Sequence, residues 1–89
     1  MEKDYEITGK LVRIARLIKN VKIIELSEMT GIDDNYLAKI ERGVEGTTIS
    51  RLNHFRLVRA LQELGYTEQQ LVAITALVEN IEELEGKNK

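Results

Sequence analysis

Few side chains in this 89-residue chain have the type and spacing that covalent or metal chemistry needs. Cysteine is absent, which excludes disulfides, thiolate metal sites and thiol nucleophiles, and the single histidine, His54, has no nucleophile at a motif-like spacing. The run Asp33-Asp34-Asn35 places Leu37 where a calcium loop needs an oxygen, and the loop from Gly43 to Gly46 lacks the Lys-Ser/Thr pair of a phosphate-binding loop. The expectation is therefore a non-enzyme without metal or cofactor. Charge is the chemistry that remains. The formal net charge is −2, yet from Gly9 to Arg59 ten bases stand against six acids, a local charge of +4. The rest of the chain holds three bases and nine acids. A basic middle between acidic ends suits a molecule that offers one surface to an anion and another to water or protein.

Composition limits the elements that can carry this charge. Hydrophobic residues at 43%, charged residues at 31% and no proline describe one small, predominantly helical domain. Aromatic residues at 4% are too few for a single-strand stacking platform. The longest nearly apolar stretch, Leu71 to Val78, falls far short of the roughly 20 residues that cross a bilayer, so no membrane span is expected. The opening MEKDYEITGK has no apolar signal core, which makes the cytoplasm the expected location.

Five helices follow from periodicity and capping. Leu11, Ile14, Leu17 and Ile18 recur at spacings of three and four in a first helix, with Thr8 as its cap or Asp4 beginning it a turn earlier, and Asn20 at its exit. The segment KIIELSEMTG forms a second, closed by Gly31, which tolerates the left-handed turn that follows. Asp33 caps a third helix, DNYLAKIER, with Leu37 and Ile40 facing inward and Gly43 at its end. A fourth, capped by Thr47 or Thr48, runs to Leu64 before Gly65. Its apolar positions change face midway, from Ile49, Leu52 and Phe55 to Leu57, Ala60, Leu61 and Leu64. That shift predicts a break near Asn53 or two different neighbours. A fifth opens with Thr67-Glu-Gln-Gln70, a capping-box pattern, and reaches Glu85.

Around Gly31 the spacing is that of a helix-turn-helix. Leu26 lies five residues before the glycine, small Ser27 lets the helices approach, Ile32 follows the turn, and Leu37 and Ile40 pack the second helix back. Thr30 stands where an apolar residue is usual. With these residues, and with the string GIDDNYLAKIERG, the chain resembles the Cro/C1-type (XRE-family, lambda-repressor-like) DNA-binding domains over about residues 8–66. The resemblance implies an all-α, five-helix lambda-repressor-like domain over 8–66, whose helix-turn-helix sets the third helix in the major groove of double-stranded DNA. Residues 67–85 form an extended C-terminal helix beyond it.

Since Leu37 and Ile40 point inward, the third helix offers Asp34, Asn35, Tyr36 and Lys39 to base edges. Asn35 suits adenine, Lys39 guanine, and Asp34 a cytosine amino group. Arg42, at the far end, suits phosphate. The resemblance assigns further phosphate contacts to Lys22 at the start of the second helix and to Thr47 and Thr48 before the fourth, with Arg51 assisting. Ile23 occupies a position where the family places a DNA-contacting glutamine, so that contact is absent or becomes an apolar touch. Asp33 and Asp34 favour the helix dipole but repel phosphate. The stretch from Gly43 to Gly65 is about a turn longer than is usual in these domains.

On the fifth helix Leu71, Ile74, Leu77, Val78, Ile81 and Leu84 cover a wider arc than packing on one core requires. The expected use of that surface is a symmetric homodimer on a palindromic site. The functional expectation is a dimeric transcriptional repressor. A second reading is an interaction adaptor, antitoxin-like or regulator-binding, whose protein partner meets the fifth helix.

Overall fold

The computed structural model describes residues 6–87, with side chains described through residue 81. Five helices follow in order: α1 (Gly9–Ile18), α2 (Ile23–Thr30), α3 (Asp34–Arg42), α4 (Arg51–Glu63) and α5 (Glu68–Lys87). No strand occurs among the described residues. The fold class is the one expected.

Local side-chain chemistry sets most of the boundaries. Thr8 Oγ1 accepts from the Leu11 N–H at 3.2 Å, and Asp33 Oδ2 accepts from the Asn35 and Tyr36 N–H groups at 3.0 and 3.2 Å. At α5 the capping box closes in both directions. Thr67 Oγ1 accepts from the Gln70 N–H at 3.1 Å, and Gln70 Oε1 from the Thr67 N–H at 2.9 Å. Asn20, past the end of α1, has the left-handed φ of 58° that an exit residue adopts.

At α4 the structure corrects the expected cap. Ser50, rather than Thr47 or Thr48, begins the helix, its Oγ accepting from the Asn53 N–H at 3.1 Å. The chain stays outside the helix through residues 47–49, with Ile49 half-buried against the core. The expected break near Asn53 is absent. Nor does a second neighbour cover the first face, for Leu52 and Phe55 are 56% and 59% exposed.

The core draws Leu11, Val12 and Ala15 from α1, Leu26 from α2, Leu37 from α3, and Leu57, Ala60 and Leu61 from α4. Ile7, Ile32, Tyr66 and Leu71 close it. On α1 two apolar stripes overlap. Packing selects the one containing Val12 and small Ala15, while Leu17 and Ile18, in the last turn, face outward and Ile14 is half-buried. Among the helices α1 is central, packing against α3, α4 and α5, whereas α2 packs against α3 and α4.

Three ties that the sequence did not announce hold α1 in place. Arg16 Nε and Nη2 donate to the two Glu41 carboxylate oxygens at 2.9 Å each, and Nη1 donates to the Val21 carbonyl at 2.8 Å. The Glu41 and Arg16 side chains are only 4% and 12% exposed. The bond to Glu41 holds the Arg16 guanidinium above its ordinary pKa. Tyr66 donates its hydroxyl to the Ala15 carbonyl at 2.7 Å, with Lys19 Nζ 5.1 Å from the ring centroid. Gly9 lies so near α3 that a Cβ built on it would stand 1.9 Å from the Ile40 carbonyl oxygen.

Candidate nucleic-acid interface

The site is built on the turn between α2 and α3. Gly31 has φ 77°, a left-handed value that costs a residue with a Cβ, and its N–H donates to the Ser27 carbonyl at 2.8 Å. Ser27 Oγ donates to the Ile32 carbonyl. Thr30 is buried in the slot where an apolar side chain is usual, and hydrogen bonding makes that tolerable. Its Oγ1 donates to the Leu26 carbonyl at 2.9 Å and accepts from the Ile32 N–H at 3.1 Å, so neither the hydroxyl nor the turn amide is stranded. With Leu26, Ile32, Leu37 and Ile40 buried, the opposite side of α3 must face outward.

That side carries the residues expected to read bases. Asn35, Tyr36 and Lys39 are exposed and Asp34 is half-buried, in the first two turns of α3. The Asp33 cap on the Asn35 and Tyr36 amides fixes the direction in which this end projects. Tyr36 differs from its neighbours, because its hydroxyl donates to the Thr48 carbonyl at 2.8 Å. The structure thereby joins the start of α3 to the loop holding Thr47 and Thr48. Arg51 follows as the first residue of α4, exposed beside the N–H groups that a helix start leaves free.

The other phosphate candidates lie elsewhere. Lys22 is exposed at the head of α2, where its own N–H donates to Glu25 Oε1 at 2.8 Å, so a carboxylate already occupies part of that anion-binding end. Ile23 is half-buried and packs against the core, and no glutamine-like contact is available from it. Arg42 is exposed at the far end of α3 and shares a shallow cleft with Lys10, Arg13, Ile14, Val78 and Ile81, on the α1 and α5 side.

The expected α5 interface divides. Leu71 and Val78 are buried within the chain's own fold and Ile74 is half-buried against the core, because α5 lies along α1. Of the expected interface residues whose side chains are described, Leu77 and Ile81 are exposed, at 55% and 44%. Leu84 lies outside the described side chains. No helix among the described residues is long and apolar enough to cross a membrane.

Two residues central to this arrangement were not expected as such, Glu41 and Gly9. Glu41 did carry a signal. An acid directly after Ile40 and four residues after Leu37 falls on the inward face of its helix, and a buried carboxylate requires a cation. Gly9 carried none, since close approach of two backbones leaves no mark in spacing.

A short helix, a left-handed glycine turn and a second helix with an outward polar row define a helix-turn-helix protein. A family model described as a helix-turn-helix domain matches residues 9–77, most of the chain. The chain belongs to that helix-turn-helix family, a class of fold that binds double-stranded DNA. Neither a curated protein nor a solved structure matches it.

Proposed function

We propose that this chain is a Cro/C1-type transcriptional regulator that reads double-stranded DNA in sequence-specific fashion, with α3 in the major groove. The observation that carries the reading is the exposed pair Asn35 and Lys39, with half-buried Asp34 beside them, on a helix whose other side is fixed in the core by Leu37 and Ile40. Asn35 offers a bidentate amide to adenine, Lys39 a donor to guanine, and Asp34 an acceptor to a cytosine amino group. Thr47, Thr48 and Arg51 hold phosphates at the α4 side, Lys22 at the head of α2 and Arg42 at the end of α3. The protein acts in the cytoplasm as a homodimer on a palindromic operator and represses by occluding it. Leu77 and Ile81, with Leu84, supply the two-fold contact.

Selection of a preferred site from random duplex, followed by gel shifts across a salt series, tests this reading. The expected outcome is a two-fold symmetric site and an affinity that falls steeply with salt. A chain that retains no duplex at low salt is not a DNA reader. The adaptor reading, with a protein partner on α5, would then take its place, supported by the exposed Leu77 and Ile81 and the acidic C-terminal portion of the sequence.

A further inference from the structure

We infer that Tyr36 is a positioning residue that straps the base-reading helix to the phosphate-gripping loop, rather than a residue that reads a base itself. The inference rests on the DNA-reading function proposed above and assigns Tyr36 its part in it. Tyr36 lies between Asn35 and Leu37 in the first turn of α3, with an exposed side chain. Its only donor, the phenolic O–H, is committed to the Thr48 carbonyl at 2.8 Å. A base edge that needed a donor from Tyr36 would have to break that bond.

The loop explains why a strap is useful there. Leaving α3, the chain is tied back by the Gly43 N–H to the Ile40 carbonyl and the Val44 N–H to the Lys39 carbonyl, both at 3.1 Å. A turn follows, closed by the Thr47 N–H on the Val44 carbonyl at 3.0 Å. Those bonds secure the first half of the loop. Beyond Thr47 the chain forms neither helix nor turn until Ser50 caps α4, and Ile49 anchors it to the core from one side. Among the described residues, Tyr36 is the side chain of α3 that hydrogen-bonds this second half. The phenol bridges twelve residues of chain and sets Thr47, Thr48 and the head of α4 at a fixed distance from Asn35 and Lys39. Phosphate gripping and base reading then share one rigid frame, so ordering the loop is not left to the moment of binding.

The test substitutes Tyr36→Phe, which keeps the ring and removes the donor, in the full chain. Two measurements are made: amide hydrogen exchange of residues 47–50 in the free protein, and binding to the selected duplex and to random duplex over a salt series. The strap predicts exchange about tenfold faster at Thr47, whose N–H bond to the Val44 carbonyl lies next to the tied residue, in keeping with the loss of one hydrogen bond. It also predicts an affinity about three- to tenfold weaker for both duplexes alike, with the order of preferred bases unchanged. Thr48→Ala, which keeps the carbonyl, leaves loop exchange as it is in the unaltered chain. Unchanged exchange in Tyr36→Phe overturns the strap. So does loss of preference at a single base pair with random-duplex affinity intact, since that is the mark of a direct reader. If the unaltered chain binds no duplex, the functional reading fails on its own, and loop exchange still decides whether the strap exists.

Discussion

At the scale of single residues, what a side chain does here depends on whether its polar atoms are already engaged. Lys39 and Arg42 are both exposed cations on α3, but they stand at different points along it. Lys39 lies in the row proposed to read bases. Replacing it with alanine is expected to relax base preference by about 1–3 kcal/mol at one position. Arg42→Ala is expected to weaken all sites alike and to reduce the salt slope by about one. Equal effects of the two in competition gel shifts would refute that division. Glu41 shows the opposite condition, a charge almost wholly buried and with both oxygens bonded to Arg16. Glu41→Ala leaves the guanidinium nearly buried and unpaired, at a cost of about 3 kcal/mol in unfolding free energy. Joint replacement by Arg16→Met and Glu41→Leu should recover much of that loss in urea titrations, because the desolvation of both charges disappears with them.

Tyr66 links a residue to its element. Burial raises its phenol above the ordinary tyrosine pKa. The folded state therefore favours the neutral form. This contribution is complete below about pH 10 and is lost as the pH climbs through the raised value. Tyr66→Phe is expected to cost about 1 kcal/mol at neutral pH, from the lost bond to Ala15, and to flatten the fall of Tm above pH 10.

For the helices as elements, caps were legible in the sequence and tertiary approaches were not. Thr8, Asp33 and the pair Thr67 and Gln70 act on amides two or three residues away, so chemistry and spacing identify them together. The start of α4 was expected at Thr47 or Thr48, and the cap is instead Ser50, a hydroxyl two or three residues further on. Ile49 reaching the core and Tyr36 holding Thr48 are tertiary events, and they accompany the choice of Ser50. Of the α1 set read from period, Leu11, Ile14, Leu17 and Ile18, only Leu11 is fully buried, and the partners facing Val12 and Ala15 decided the inward face. The outward row on α3 was readable because it is the complement of Leu37 and Ile40. The Arg16 bond to Glu41 spans 25 residues and no local rule reports it. Gly9 yields the sharpest expectation at this scale. Gly9→Ala gains about 1 kcal/mol in helix propensity, but the methyl meets the Ile40 carbonyl, a backbone atom that cannot rotate away. The clash should dominate and lower Tm by about 5–15 °C in a thermal melt. An alanine variant as stable as the parent would show that α1 and α3 can separate without loss.

At the scale of the whole molecule, apolar surface is distributed unevenly. Half of the α5 stripe has found its partner on α1, which leaves Leu77 and Ile81 as the testable part of the proposed two-fold contact. Leu77→Glu and Ile81→Glu together should leave the thermal midpoint within a few degrees, since surface changes of this kind rarely exceed about 0.5 kcal/mol. Sedimentation should then report one chain in place of two, with weaker binding to a palindromic duplex. A two-chain mass in the variant would place the contact elsewhere. The backbone-on-backbone seating of α1 against α3 carries a further consequence for how such a reader could change its preference over generations. With Ile40 resting directly on the main chain at Gly9, no pliable side chain lies between the two rods to act as a shim. The angle at which α3 is offered to a duplex is thus set by the frame, and new target sequences would be acquired by exchanging the letters at 34, 35 and 39 rather than by re-aiming the rod that bears them.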